Sequence, residues 1–255
     1  MRIERFPLDV STRAPTGQTA AYVIGDDDAL LVDPAVRDER LDRTLGSVAH
    51  VAVTHHHPDH VGAVSEYADR ATVWCRYGRE DAFINATGVE PDRTFREGTE
   101  IRTGSGAIAV SETPGHAVEH VSFAAGEALL VGDLAVAEGS VVVGSPAGDM
   151  RAYLTSLRRV HAMDPERLYP AHGPVIRDPR PTCERLLAHR LARERRVFDA
   201  VLAGNRTVAE ILDSAYEKDL TGVRDLAGAT VRAHLEKLAH EGRVRWDGAH
   251  ADPVG

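Results

Sequence analysis

Short apolar runs rich in β-branched residues recur along the first two-thirds of the chain, each followed by a polar loop. Val48-Ala49-His50-Val51-Ala52-Val53 has the length and composition of a buried strand. Ala107 to Thr113, Ala128-Leu129-Leu130-Val131 and Arg167-Leu168-Tyr169-Pro170 read the same way. Beyond Pro179-Arg180-Pro181, a breaker, the apolar spacing becomes helical, and Thr182 to Ala203 is predicted to be one long helix. Thr207 is the expected N-cap of a helix opening Val208-Ala209-Glu210-Ile211-Leu212. A further helix is predicted over Thr230 to His240, with Val231, Leu235 and Leu238 on one face. It runs through Glu241-Gly242 into the short basic strand Arg243-Val244-Arg245-Trp246. The pattern predicts two parts, 1–178 and 179–255, the second a long helix plus a winged-helix-like domain.

The loops that follow the predicted strands carry the chemistry. Thr54-His55-His56-His57-Pro58-Asp59-His60 begins one residue past the first run, and Pro114-Gly115-His116, Gly132-Asp133 and Pro170-Ala171-His172-Gly173 close the other three. Rigid strands hold such loops in place while the loop backbone turns its side chains inward. Neutral imidazoles and carboxylates suit zinc and similar first-row ions. Counting His55, His57, Asp59, His60, His116, Asp133 and His172 gives three histidines for one ion, Asp59 with two histidines for a second, and Asp133 to bridge. A lone histidine would more often be a surface or core residue. A succession of such segments in this order makes that reading hard to sustain.

Thr-His-x-His-x-Asp-His-x-Gly, a later Thr-Pro-Gly-His, a Gly-Asp and a terminal His-Gly resemble the metallo-β-lactamase-fold hydrolases over roughly residues 1 to 178. The resemblance implies an α+β fold, an αββα sandwich with a small C-terminal helical domain. It implies one ion held by His55, His57 and His116, a second by Asp59, His60 and His172, and Asp133 bridging, with two zinc ions per chain. His56 occupies the variable position of the motif. Ala20 to Gly25 followed by Ala29 to Pro34 resembles the family's opening hairpin, in which Asp33 corresponds to a carboxylate that supports a ligand histidine. The chain departs from the family pattern at Gly62-Ala63, at Glu119 before His120, and at Ala171, where glycines are common. None of these removes a ligand.

Two adjacent cations lower the pKa of a shared water from about 16 to about 7, so that a metal-bound hydroxide is expected as nucleophile. Asp59 is expected to hold a metal and orient that hydroxide. His120 is a candidate proton donor to the leaving group, with a purely structural histidine as the competing reading.

Composition narrows the class further. The 255 residues can bury a substantial core. Cys75 and Cys183 are the only cysteines and form no Cys-x-x-Cys pair, which argues against a disulfide framework and makes a reducing cytoplasm the simpler setting. No run of about 18 apolar residues predicts a membrane span, and Met1-Arg2-Ile3-Glu4-Arg5 lacks the apolar core of a signal peptide. The net charge of −9 argues against a surface built only to bind nucleic acid, although arginine carries nearly all the positive charge.

The tail sharpens the resemblance. A lactamase-like part followed by His189-Arg190, Arg193-Glu194 and a winged-helix-like end is similar to the β-lactamase-like protein 2 family, some of whose members cleave single-stranded RNA. Glu236 and Glu241 beside Arg232 and Lys237 leave the last helix without a dominant positive face, so the tail is expected to pack rather than read nucleic acid. Four functions follow. The first is a dinuclear phosphodiesterase acting on single-stranded RNA, with arginines of the long helix and tail binding phosphates. The second is a thioester hydrolase resembling glyoxalase II. The third is a mono-iron sulfur dioxygenase, disfavoured by the full second ligand set. The fourth is a ligand-sensing winged-helix regulator, which intact ligands make the weakest. The oligomeric state is not legible, and residues 76–105 and 136–150 are expected to border the site.

Overall fold

The computed structural model describes residues 1–43, 46, 48–217 and 219–254. Its elements run β1 (Ile3–Asp9), β2 (Gln18–Ile24), β3 (Ala29–Val32), α1 (Glu39–Asp42), β4 (Val48–Ala52), α2 (Pro58–Val61), α3 (Val64–Ala68), β5 (Thr72–Arg76), α4 (Glu80–Thr87), β6 (Arg93–Phe95), β7 (Glu100–Thr103), β8 (Gly106–Glu112), β9 (Val121–Ala125) and β10 (Ala128–Gly132). There follow α5 (Met150–Met163), β11 (Arg167–Pro170), α6 (Pro179–Leu202), α7 (Val208–Ala215), α8 (Arg224–His240), β12 (Val244–Trp246) and β13 (Ala251–Pro253). The chain divides into two compact units. The first comprises 1–113, 119–139 and 164–179, and the second 114–118, 140–163 and 180–255.

The first unit holds two sheets, one in the order β1-β2-β3-β4-β5-β6 and the other β11-β10-β9-β8-β7. Strands β3 to β6 pair in parallel, and the sheet they form is buried on both faces, as parallel strands require. Alternation sorts the side chains. Ala20, Tyr22 and Ile24 of β2, Leu30 and Val32 of β3, and Ala52 of β4 share a core with Ile108, Val110, Val121 and Phe123 of the other sheet. Ala21, Val23, Leu31 and Val51 point the opposite way, into a second core with Val61, Val64, Tyr67 and Phe83 from α2, α3 and α4. The period of two thus places apolar side chains on both sides of one sheet.

Each strand predicted from the apolar runs is present within a residue or two. The helices differ more. The long helix starts at Pro179 rather than after Pro181, because a proline in the first turn lacks an N–H that would have no partner there anyway. The last helix starts at Arg224, six residues before the predicted Thr230. In the second unit α6, α7 and α8 bury Val197, Val201, Ile211, Leu212, Val231, Leu235 and Leu238 in a common core with Val244 and Ala251 of the β12–β13 hairpin. Thr207 caps α7 with a full capping box, accepting from the Glu210 amide while the Glu210 carboxylate accepts from the Thr207 amide.

Candidate metal centre

Most of the site is delivered by loops of the first unit. The first leaves β4 through Thr54, whose amide and hydroxyl both donate to the Asp33 carboxylate at 2.7 and 2.8 Å. With its proton committed to Asp33, the Thr54 hydroxyl oxygen accepts from His55 Nδ1 at 3.0 Å. That leaves His55 Nε2 as the lone-pair nitrogen, 3.0 Å from His57 Nδ1. Asp33 also accepts from His60 Nδ1 at 3.1 Å, so His60 too presents Nε2. The support expected of Asp33 is visible as these three bonds.

His172 follows β11, and its Nδ1 donates to the Gln18 carbonyl at 2.7 Å. Its Nε2 lies 3.4 Å from Asp133 Oδ1 and 3.7 Å from Asp59 Oδ2. Asp59 Oδ2 accepts from the hydroxyl of Thr12, a residue of the β1–β2 loop that no motif marked. Asp133 follows β10 through Gly132, whose φ is 46°. A Cβ there would stand 2.6 Å from Thr54 Oγ1 and 2.8 Å from His120 Nε2, which explains the glycine of the Gly-Asp pair.

The ligand atoms of His55, His60 and Asp133 lie within 4.8 Å of one another, and so do those of Asp59, His60 and His172. His60 Nε2 is buried, has no hydrogen-bond partner, and faces Asp133 Oδ1 at 3.6 Å. Burial opposes a proton on His60, but Asp33, Asp133 and Asp59 outweigh it and push its pKa up to about 9. His172 is likewise raised against its burial, chiefly by Asp133. Imidazole nitrogens crowded against buried carboxylates favour positive charge in this cage, as the raised pKa values of His60 and His172 show. A divalent cation satisfies both at once, so the donor set fits a metal.

His116 belongs to the second unit, where its Nδ1 bonds the Val142 carbonyl at 2.7 Å. His120 is buried, with Nδ1 against Thr113 Oγ1 at 2.9 Å and Nε2 accepting from the Asp133 amide at 3.1 Å. An imidazole that accepts at Nε2 carries its proton at Nδ1, here toward Thr113. The variable His56 packs its ring on Phe83 of α4, and its amide donates to Glu119. Glu119, one of the departures from the family pattern, thereby pins the first loop.

A sequence model of the metallo-beta-lactamase superfamily matches residues 14–172, a span that includes every candidate ligand. The chain belongs to the metallo-beta-lactamase superfamily. It is 28% identical over 217 residues to the beta-lactamase-like protein 2 homolog of Drosophila melanogaster, covering 80% of this chain and 73% of that protein. It is 32% identical over 162 residues to a thioesterase of Emericella nidulans, covering 62% of this chain and 43% of that one. A solved metallo-beta-lactamase family protein from Thermus thermophilus superposes with a TM-score of 0.79 at 23% identity, over 99% of this chain and 98% of the other, which shows the fold. Superfamily membership agrees with the His and Asp groups suited to metal. Among the described residues no helix is long and apolar enough to cross a membrane.

Proposed function

We propose that this chain is a dinuclear metal-dependent hydrolase in which His55, His57 and His116 would hold one zinc ion, Asp59, His60 and His172 a second, and Asp133 would be shared between them. The observation that carries it is the buried His60 Nε2, which has no hydrogen-bond partner, lies 3.6 Å from Asp133 Oδ1 and is grouped both with His55 and with Asp59 and His172. Two such ions supply a water ionised near neutral pH and Lewis-acid polarisation of the electrophile. The chain's own residues do the rest. Asp33, Thr54 and the Gln18 carbonyl hold the tautomers that present Nε2, and Thr12 fixes one oxygen of Asp59.

For the substrate we favour a thioester. A relative named as a thioesterase supports this reading. So do two of the arginines expected to hold phosphates. Arg190 and Arg193 of α6 are buried, donating to the Val141 and Ala215 carbonyls and lying over the Tyr153 and Tyr216 rings. Single-stranded RNA is the second reading, carried by the resemblance to the β-lactamase-like protein 2 family, whose Drosophila homolog matches across 80% of the chain.

The test is metal content of the purified chain together with turnover of a thioester, single-stranded RNA and a persulfide. About two zinc ions with thioester turnover that Asp59→Ala eliminates and His56→Ala leaves nearly intact is expected. Equal loss in both variants would remove the ligand assignment, and a single iron with persulfide oxidation would replace the reading by a dioxygenase.

A further inference from the structure

The second unit contains a chain of contacts that ends on His116 and begins on a buried arginine of α6. Arg190 is almost fully buried, although its helix position lies on a face that apolar residues fill one turn before, at Leu186, and two turns after, at Val197. Its guanidinium lies 5.5 Å above the Tyr153 ring of α5 and donates to the Val141 carbonyl. The next carbonyl along, that of Val142, is the one that bonds His116 Nδ1. The rest of the segment is held as well. The Ser145 amide donates to the Ala229 carbonyl, the Ser145 hydroxyl donates to Glu236, and Gly144 lies against the Ala229 methyl, all on α8. The Asp149 amide donates to the Gly115 carbonyl. At Gly148 a Cβ would come within 2.6 Å of the Gly115 carbonyl oxygen and 2.9 Å of that of His116, so the segment lies flat against the loop that carries the histidine.

We infer that Arg190 is a positioning residue for the metal centre: through the Val141–Val142 backbone it fixes the ring and tautomer of His116, so that α6 and α8 serve to set one metal ligand. A carbonyl that accepts from Nδ1 commits Nε2 as the ligand atom and restrains rotation of the ring. A flexible segment would do this poorly, because an untethered carbonyl moves with its loop. Arg190 removes that freedom at the peptide adjacent to the contact. Its five donors and planar shape let it bond a carbonyl while stacking on Tyr153, which a lysine reproduces only in part. The role also accounts for a charged group inside a helix bundle, where an arginine without such a task costs stability.

The inference rests on the reading of His116 as a ligand of the first ion, and the experiment separates the two. Apoprotein is titrated with zinc against a chromophoric chelator, giving a dissociation constant for each ion, in wild type and in His116→Ala, Arg190→Met, Arg190→Lys and Arg193→Met. Arg193 is the matched control, since it is a buried arginine of the same helix with its own carbonyl and ring partners, away from the 140–149 segment. His116→Ala is expected to weaken one ion strongly. Arg190→Met is expected to weaken that same ion about tenfold, the scale of an outer hydrogen-bond partner, with the other ion unchanged. Arg190→Lys is expected to recover part of the loss, and Arg193→Met to lower the melting temperature while leaving both constants alone. Arg190→Lys also carries the test if Arg190→Met does not fold, with a loss of roughly two- to threefold expected, a fraction of that outer-partner effect. Unchanged constants in the Arg190 variants, or equal weakening of both ions in step with Arg193→Met, would overturn the inference and leave the site reading intact. Wild-type zinc binding by His116→Ala would overturn the site reading itself.

Discussion

Asp33 has a φ of 52°, a left-handed conformation that aspartate tolerates better than most side-chain-bearing residues, and from it the carboxylate reaches two residues of the first metal loop. Asp33→Asn keeps the shape but replaces one acceptor oxygen by a donor, so the bonds from Thr54 and His60 cannot all survive. Zinc affinity is expected to fall about tenfold to a hundredfold with the secondary structure retained, read by competition titration and circular dichroism. Gly132 presents the reverse problem, space rather than charge. Gly132→Ala would place a methyl against Thr54 and His120 at a positive φ, and a loss of about 1–3 kcal/mol is expected in denaturant unfolding. A stability equal to wild type would mean the turn has room that the structure does not show. At this scale the candidate ligands were legible because imidazole and carboxylate chemistry is carried by residue type. Thr12 was not, since a threonine in a loop has no signature until Asp59 is brought beside it from 47 residues away.

Among elements, α6 shows how a correct periodicity can hide a role. Cys183, Leu186, Arg190, Arg193, Glu194 and Val197 are buried at helical spacing, and three of these six are charged. Glu194 Oε1 accepts from Lys237 of α8 at 2.8 Å, while its Oε2 faces His234 Nδ1 at 3.5 Å. Burial alone would raise the Glu194 carboxyl, but His234 and Lys237 outweigh it and hold it below the ordinary range. A depressed carboxyl contributes stability above its unfolded pKa, and that contribution is lost as pH falls through the lower folded value. The melting temperature of the wild type is therefore expected to fall on acidification below about pH 4.5, the ordinary glutamate value. Glu194→Gln is expected to start lower at neutral pH and to decline less over the same acid range; parallel profiles would show that the carboxylate contributes nothing there. The strands were readable from alternation and turn chemistry, whereas α5 was overlooked although Met150, Tyr153, Leu154, Leu157 and Val160 recur at helical spacing and are residues it buries. The start of α6 was misplaced because proline breaks a helix interior yet suits a first turn.

For the molecule as a whole, the proposed metal centre would couple activity to stability, because a metal that binds only the folded chain favours it. Removal of zinc by chelation is expected to abolish turnover and lower the melting temperature, and added zinc to restore both. Restoration of the melting temperature without turnover would point to a structural rather than a catalytic metal. The two substrate readings also differ in salt dependence, because phosphate contacts release counterions: RNA binding should weaken steeply from about 50 to 200 mM salt, and thioester turnover should change little. The sequence by itself determined the superfamily, the strands that end at each metal loop and the residues with ligand chemistry, because periodicity and ligation are properties of short segments. The tertiary structure decided which imidazole nitrogen His55, His60, His116 and His172 present, why Gly132 must be glycine, and that Arg190 and Arg193 face inward. Those depend on partners such as Gln18 for His172, 154 residues apart, and no local pattern encodes which distant carbonyl a ring will meet.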